Sequence, residues 1–181
     1  MSTNNPPTVQ VSTEQLRDIG LFGGLSDEAI AELARDFRAQ VYDAGAEVMR
    51  EGEHARVMFV TMTGELEVVR RSKGGVEGRV ALLGPGSWFG EMSILDVQPR
   101  SATVRAVAPS LLIRLTAEDL DKIYRRDMKS YLLIVQNIAR ELSRRLRVAD
   151  GMIVDFLSAM WDENLGFGAR RGHGPTGPQS Q

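Results

Sequence analysis

The longest regular pattern of apolar residues lies in the last third of the chain. Apolar residues recur there at alternating intervals of three and four for nearly four heptads, which predicts an amphipathic helix that pairs with another helix. These positions are Leu132, Val135, Ala139, Leu142, Leu146, Ala149, Ile153, Phe156 and Met160. The pattern favours a parallel homodimer joined through this helix. A single helix packed on its own domain is the alternative.

This C-terminal helix is expected over residues 128–161, with charged side chains outside the apolar seam. Gly151 interrupts the pattern and costs about 1 kcal/mol relative to Ala, so we expect a bend or fraying there. Residues 162–181 are rich in Gly, Pro and Gln and are predicted to form a flexible tail.

The N-terminal part of the chain begins with a polar, Pro-rich segment, residues 1–12, which is predicted to be disordered. A helical segment with Leu16, Ile19 and Leu21 as apolar anchors follows. Ser26 then precedes two acidic residues and a new apolar stripe, which is typical of an N-cap that starts a second helix.

From residue 41 the apolar period changes to that of short strands separated by turn residues. We expect strands at 41–42, 47–49, 57–62, 65–70, 79–83, 102–106 and 111–115. Thr116, with Asp119 three residues later, predicts the start of a short helix before the long one. The fold class is therefore mainly β with flanking helices, in the form of a sandwich or roll.

Composition narrows the function classes. The chain of 181 residues has a net charge of -2 and no cysteine, which excludes disulfides, thiolate chemistry and iron–sulfur clusters. His54 and His173 are its only histidines and lie in turn-like or Gly-rich sequence, so neither a metal nor a haem site is expected. The chain has no long apolar run and no signal-like N-terminus, and we therefore expect a cytoplasmic protein.

The most informative segment is FGEMSILDVQPRSATVRA, residues 89–106. It places a short apolar helical turn after Gly90 and Glu91, and the free amides at the start of a helix attract anions. Arg100 follows Pro99 and carries a planar fork suited to phosphate. Glu91 could then accept a hydrogen bond from a sugar hydroxyl. The pattern indicates an anion site with a sugar acceptor, whereas a surface Glu–Arg pair is the alternative.

This segment closely resembles the phosphate-binding cassette of cyclic nucleotide-binding domains, as found in the catabolite activator protein and in kinase regulatory subunits. The matching residues are Phe89, Gly90, Glu91, Pro99, Arg100, Ala102 and Val104. The resemblance implies an eight-stranded jelly roll with N-terminal helices. It places the cyclic nucleotide-binding domain at residues 13–127. Over residues 138–146 the long helix is similar to the dimer helix of the catabolite activator. The resemblance therefore implies that this helix covers the ligand and forms a dimer contact.

The resemblance also implies roles for the site residues. Arg100 would pair with the cyclic phosphate, and the backbone amides of Met92 and Ser101, with the Ser101 hydroxyl, would complete the anion site. Glu91 would accept from the ribose 2′-OH, and Gly90 would let the backbone pass close to the ligand. Further residues are predicted to contribute to the ligand site, although the three strand residues among them could equally be core residues. These are Phe89, Ser93, Val80, Leu82 and Ala102.

The base that the site recognises is expected to be adenine, so that cAMP is the ligand, with cGMP close behind. In the alignment with the catabolite activator, Ala149 and Asp150 occupy the positions of the two hydroxyl residues that face adenine there. Asp150 could accept from the adenine amino group or from guanine. A simply solvated Asp150 is the alternative.

The resulting interpretation is a stand-alone bacterial receptor for a cyclic nucleotide, without enzymatic activity and without a cofactor. About twenty residues follow the long helix, so we expect no DNA-binding domain, no direct contact with nucleic acid or membrane, and signalling in trans to a partner protein. The alternative is an adaptor that keeps the fold and docks a partner through its C-terminal helix and tail. The apolar surface that would serve such docking comprises Met152, Ile153, Phe156, Leu157, Met160 and Trp161.

Overall fold

The computed structural model describes residues 8–168, with side chains described over residues 8–161. The chain divides into one unit that ends at Ile138 and a second that starts at Ala139. The first unit contains all the described strands and every helix up to the first part of the C-terminal one.

Nine strands occur in the described part of the chain. They are β1 (Thr8–Gln10), β2 (Arg38–Tyr42), β3 (Glu47–Met49), β4 (Val57–Thr63), β5 (Leu66–Arg71), β6 (Glu77–Leu83), β7 (Trp88–Phe89), β8 (Thr103–Ala106) and β9 (Ser110–Thr116). They form a five-stranded sheet in the order β1-β2-β9-β4-β7 and a four-stranded sheet in the order β3-β8-β5-β6. Every strand pair is antiparallel, as expected for the predicted roll.

The core of the first unit lies between the two sheets. Apolar side chains from both sheets form one buried cluster, because alternate residues of each antiparallel strand face inward. Its members are Met49, Phe59, Leu66, Leu83, Phe89, Val104 and Leu112. The Phe59 and Phe89 rings stack with centroids 5.3 Å apart, which fixes the end of the short strand β7 next to the segment that follows it.

Five α-helices and one 3₁₀-helix accompany the sheets in the described residues. They are α1 (Thr13–Arg17), the 3₁₀-helix Gly20–Phe22, α2 (Asp27–Asp36), α3 (Met92–Leu95), α4 (Ala117–Arg126) and α5 (Met128–Gly168). The predicted N-caps are confirmed: the hydroxyl of Ser26 accepts from the amide of Ala29, and that of Thr116 accepts from the amide of Asp119. Two capping residues visible in the sequence thus set where α2 and α4 begin.

The first turns of α5 are anchored by residues outside the heptad seam. Ile134 and Ile138 are 0% and 1% exposed. The side-chain amide of Asn137, also buried, donates to the carbonyls of Leu21 and Gly23, both at 3.0 Å. The heptad pattern missed this stripe, because it includes a polar residue whose hydrogen bonds only the folded chain supplies.

Strand β6 carries an irregularity opposite β5. Val68 pairs with Ala81, whereas the next residue, Val69, pairs with Arg79. Val80 is therefore an extra residue on β6, which is the geometry of a β-bulge. Because β6 is the last strand of its sheet, the bulge lies on an open edge.

Several boundary predictions need correction. Residues 8–10, predicted to be disordered, form β1 because they pair with β2. Strand β7 was not predicted. Helix α5 runs through Gly151 without a break and continues to Gly168, so residues 162–168 are helical rather than part of a tail. The seven strands predicted from the sequence correspond to β2–β6, β8 and β9, and the described residues contain nine strands rather than the eight that the resemblance implies.

Two predicted segments, residues 1–7 and 169–181, lie outside the described residues. Across residues 8–168, no helix combines the length and the apolar character needed to cross a lipid bilayer.

Candidate functional site

The site is built around Arg100, which is only 5% exposed. Its Nη1 group donates to the carbonyl of Gly90 at 3.0 Å and to the hydroxyl of Ser93 at 2.7 Å. The Ser93 hydroxyl in turn donates to the same Gly90 carbonyl at 3.0 Å. Within the described residues, Nη1 is the only nitrogen of the Arg100 guanidinium that donates a hydrogen bond. The Nη2 and Nε donors of the fork therefore remain for a ligand.

Gly90 makes this contact possible. Its φ of +80° lies in the left-handed region that favours glycine. A Cβ atom at this position would lie 2.6 Å from Arg100 Nη1 and 3.0 Å from the carbonyl oxygen of Val57. A side chain at position 90 would thus clash with both the guanidinium and the neighbouring strand β4. From the sequence, Gly90 was predicted to let the backbone pass close to the ligand. In the structure, the backbone of Gly90 also lies close to Arg100 itself.

The loop between β3 and β4 holds the backbone of Arg100. The Arg100 amide donates to the carbonyl of Glu53, and the Gly52 amide donates to the carbonyl of Arg100, both at 2.9 Å. Gly52 and Glu53 lie between the predicted strands at 47–49 and 57–62, and the sequence alone assigns neither of them a separate role. Nothing in the sequence pairs these distant positions, because the two loops meet only through the sheet order.

Burial lowers the pKa of Arg100, and the nearby carboxylates of Glu53 and Glu91 oppose that shift. Arginine stays protonated in proteins even so. The site therefore keeps a positive charge in a place largely withdrawn from water, where an anionic ligand gains more from it than at the surface.

Glu91 is also buried, at 3% exposure, and is the N-cap residue of α3. Its position between β7 and α3 follows directly from the short connection Gly90–Glu91. A buried carboxylate needs hydrogen-bond donors around it, and a sugar hydroxyl is a donor of the right kind. The structure thus brings Gly90, Glu91, Ser93 and Arg100 close together. The ligand-binding roles predicted for Gly90, Glu91 and Arg100 stay predictions.

The residues beside this centre are more exposed. Ser101 is exposed and its hydroxyl donates to the sulfur of Met92 at 3.8 Å. Met92 is 46% exposed, whereas Ala102 is buried. The predicted role of the Ser101 hydroxyl in the anion site stays a prediction. The hydroxyl that accepts a hydrogen bond from Arg100 is that of Ser93. From the sequence alone, Ser93 had no separate role.

The structure adds the surroundings of two further predicted site residues. Phe89 belongs to the core cluster, and its predicted ligand contact stays a prediction. Leu82 pairs with Glu67, and its neighbour Leu83 pairs with buried Leu66. Strand alternation therefore places Leu82 on the outer face of its sheet. Leu82 is 49% exposed, and its predicted contact with the ligand stays a prediction.

Val80, the bulge residue of β6, is 55% exposed rather than a core strand residue. Its role as a pocket wall stays a prediction. Asp150 is exposed on the second unit, and its contact with the base also stays a prediction. Within the described residues, no group of three or more acidic or histidine side chains could hold a metal ion.

The predicted dimer residues differ in exposure. Val135 is half-buried and lines a groove of about 320 Å³ together with Leu95, Leu120 and Tyr131. In the second unit Leu142 is half-buried, whereas the remaining seam positions are exposed. Those exposed positions are Ala139, Leu146, Ala149 and Ile153.

Comparison with known proteins adds to this geometry. The family model of the cyclic nucleotide-binding domain matches residues 39–127. The chain is 37% identical over 138 residues to the "Cyclic AMP receptor protein" of Thermus thermophilus, a match that covers 76% of this chain and 62% of that protein. Two Mycobacterium tuberculosis regulators are likewise covered over 62% of their length, so the chain spans less than two thirds of these relatives.

Solved structures that are similar to this chain also belong to cyclic nucleotide-binding proteins. The crystal structure of the Thermus thermophilus catabolite activator protein superposes with a TM-score of 0.67 at 37% identity, covering 77% of this chain and 63% of that chain. The regulatory domain of Toxoplasma gondii PKA, crystallised with cAMP, superposes with a TM-score of 0.56 at 28% identity, covering 61% of this chain and 42% of that chain. The antiparallel roll, the buried Glu91 and Arg100, and these matches together identify residues 39–127 as a domain of the cyclic nucleotide-binding family.

Proposed function

We propose that this chain is a receptor for a 3′,5′-cyclic purine nucleotide, with cAMP as the preferred ligand and cGMP as the second candidate. A domain of this family is a binding domain, not a catalytic one, and we propose no enzymatic activity. The observation that carries the proposal is Arg100, a buried cation held by Gly90 and Ser93 with part of its fork available. The printed name of the Thermus thermophilus relative and the cAMP-bound Toxoplasma gondii structure support cAMP.

Each cassette residue has a distinct role in this proposal. Arg100 pairs with the cyclic phosphate, and the amides of Met92 and Ser101, with the Ser101 hydroxyl, complete the anion site. Glu91 accepts from the ribose 2′-OH. Gly90 keeps the guanidinium and the ligand within reach of the backbone. Ala102 forms part of the wall, together with Val80.

We further propose that ligand binding repositions α5 and so signals to a partner protein in trans. The ligand can shift α5 only if it binds one arrangement better than the other. The groove that joins Ile94 and Leu95 of α3 to α4 and the start of α5 supports this route, because a movement of α3 would change its lining. A parallel homodimer through the seam of α5 completes the proposal.

An adaptor that keeps the fold and docks a partner through α5 is the second candidate. The exposed apolar residues from Leu146 to Trp161 favour it. The two candidates differ at Arg100, because an adaptor without a ligand has no need of a buried arginine with available donors.

The test is titration calorimetry with cAMP and then cGMP. We expect saturable binding that Arg100→Ala weakens about 10- to 100-fold, since the substitution removes a charge-assisted phosphate contact. Arg35→Ala is the matched control, because Arg35 is an exposed arginine on α2; its affinity should equal that of the wild type. Circular dichroism of each variant verifies folding. A folded Arg100→Ala protein with unchanged affinity would contradict the proposed pose, and no binding of either nucleotide would favour the adaptor.

Asp150→Ala is measured in the same titrations. If Asp150 contacts the base, the substitution changes the ratio of cAMP to cGMP affinity; if Asp150 is solvated, the ratio stays the same.

A further inference from the structure

Ser93 closes a ring of hydrogen bonds around the guanidinium of Arg100. Its hydroxyl accepts from Arg100 Nη1 at 2.7 Å and donates to the carbonyl of Gly90 at 3.0 Å. Arg100 Nη1 also donates to that carbonyl at 3.0 Å, so each of the three groups contacts the other two. Ser93 is 3% exposed and Arg100 is 5% exposed, and water therefore has little access to the ring.

The chemistry of the three groups sets the direction of each hydrogen bond. A serine hydroxyl has one proton and two lone pairs, whereas an arginine nitrogen only donates and a carbonyl only accepts. The proton of Ser93 is therefore directed at the carbonyl of Gly90, and a lone pair of its oxygen faces Nη1. While the ring is intact, Ser93 has no proton left to donate to a phosphate oxygen. A contribution of this side chain to anion binding must then act through Arg100.

The two acceptors on Nη1 also fix the plane of the guanidinium. Nε and Nη2 lie together on another edge of this planar group, and such a pair of parallel donors suits two oxygens of a phosphate. If the carbonyl of Gly90 were the only acceptor, the guanidinium could pivot about that one contact, and the donor pair would lose its direction. The hydroxyl of Ser93 thus holds the pair in one orientation before a ligand arrives.

We propose that Ser93 is a positioning residue, whose hydroxyl holds Arg100 so that Nε and Nη2 face the cyclic phosphate. The inference rests on the proposed function, because it states how the anion site of that function is kept in its binding geometry. A direct contact between the Ser93 side chain and the nucleotide is the alternative that the experiments separate from it.

Titration calorimetry with cAMP tests the role in a double-substitution cycle. Ser93→Ala removes one acceptor of Nη1 and keeps the backbone. Its affinity should be about 2- to 10-fold weaker than that of the wild type, since binding must then order the guanidinium. In the Arg100→Ala background the same substitution should change the affinity no further, because the arginine through which Ser93 acts is absent. An equal loss in both backgrounds would indicate a direct contact and overturn the positioning role.

Ser110→Ala is the matched control for Ser93→Ala. Ser110 is likewise buried, at 2% exposure, and its hydroxyl donates to the carbonyl of Ala108 at 2.7 Å, outside the cassette. Its substitution should leave the affinity for cAMP unchanged, and circular dichroism verifies that each variant is folded. A folded Ser93→Ala protein that binds cAMP as tightly as the wild type would overturn the proposal. The same loss of affinity in Ser110→Ala would also overturn it, because the effect would then be a general one.

NMR of the arginine side chains gives a second measurement, which needs no nucleotide. Charge-assisted hydrogen bonds are strong, and two of them on Nη1 slow the rotation of that group, so that its protons give separate signals. We expect such signals for Arg100 in the wild type, identified by their absence from Arg100→Ala. They should merge in Ser93→Ala and persist in Ser110→Ala.

The two measurements separate the inference from the function on which it rests. Arg100 signals that Ser93→Ala leaves unchanged would overturn the positioning role, whatever the affinity of the wild type for cAMP. A wild type that binds neither cAMP nor cGMP would contradict the proposed function, and the NMR comparison would still decide whether Ser93 holds Arg100.

Discussion

At the scale of single residues, Gly90 couples backbone conformation to the ligand site. Its carbonyl accepts from both Arg100 and Ser93, and its positive φ aims that carbonyl at them. The site therefore depends on a residue that contributes no side chain. The left-handed conformation of Gly90 thus helps to hold the Arg100 guanidinium in place.

Replacing Gly90 with Ala tests this dependence. We expect the free energy of unfolding to fall by at least about 1–2 kcal/mol, the ordinary cost of a left-handed L-residue. The new methyl would also lie 2.6 Å from Arg100 Nη1, which must then move, so nucleotide affinity should fall as well. Urea unfolding and titration calorimetry measure the two effects.

Gly75→Ala is the matched control for that substitution. Gly75 has a φ of +84°, but a Cβ there would meet nothing within 4 Å. Its substitution should lower stability by a similar backbone cost and leave affinity unchanged. Equal affinities of the two variants would contradict the proposed coupling between Gly90 and Arg100.

The residues that sequence reasoning located are those whose motif is contiguous. Gly90, Glu91 and Arg100 lie within one short segment, and their types alone indicate an anion site. Glu53 was missed because its contact with Arg100 crosses from a distant loop. The face on which Leu82 lies could not be predicted, because the register of β6 depends on its pairing with β5, which a single strand does not reveal.

At the scale of elements, α4 illustrates how local chemistry defines a helix start. Thr116 and Asp119 form a capping box, in which each side chain accepts from the other residue's backbone amide. Burial alone would raise the pKa of Asp119. Hydrogen bonds from Thr116 and from Lys122 outweigh it, so that the pKa lies below its ordinary value of 3.8.

This pKa predicts how the stability of the protein depends on pH. A carboxyl whose pKa is lower in the folded state stabilises the fold fully above its unfolded pKa and loses that effect as pH falls through the folded pKa. Asp119→Asn should therefore melt at a lower temperature than the wild type at about pH 6. The difference should shrink below about pH 4.

Thermal melting across this range is the measurement, with Asp121→Asn on the same helix as control. Asp121 is half-exposed and pairs with Arg125 on the helix surface, so its substitution should have a small effect. A difference between Asp119→Asn and the wild type that stays constant from about pH 6 to about pH 3 would contradict the capping role.

The elements found from the sequence were those long enough to show a period or to carry a cap. Helices α2 and α4 have a cap, and α5 has a long apolar period. Strands β1 and β7 have three and two residues, too few for an alternating pattern, and only pairing with β2 and β4 defines them. The anchoring stripe of α5 at Ile134, Asn137 and Ile138 was hidden because the overlapping seam has the same helical period.

At the scale of the whole molecule, ligand binding and folding are linked. A ligand that binds only the folded chain stabilises it by about 2.7 kcal/mol at a hundred times its Kd. For a chain of this size that corresponds to a rise in Tm of about 5 to 11 °C. We expect cAMP to produce this rise, and we expect Arg100→Ala, with an affinity about 10- to 100-fold weaker, to reduce the rise to about half or less at the same concentration.

Differential scanning calorimetry provides the measurement, and 5′-AMP is the control ligand because it lacks the cyclic phosphate. A rise of equal size with 5′-AMP would contradict a site built for the cyclic form. The nucleotide, cAMP or cGMP, that gives the larger rise in Tm at equal concentration carries the preferred base.

The bulge at Val80 also bears on how the protein behaves at high concentration. Strand β6 ends its sheet, and a regular seven-residue edge with exposed Val80 and Leu82 would offer a template for strands of other molecules. An extra residue twists such an edge and breaks its ladder. The same irregularity that leaves Val80 exposed thus works against edge-to-edge pairing of molecules, and a deletion that made β6 regular should lower the solubility of the protein.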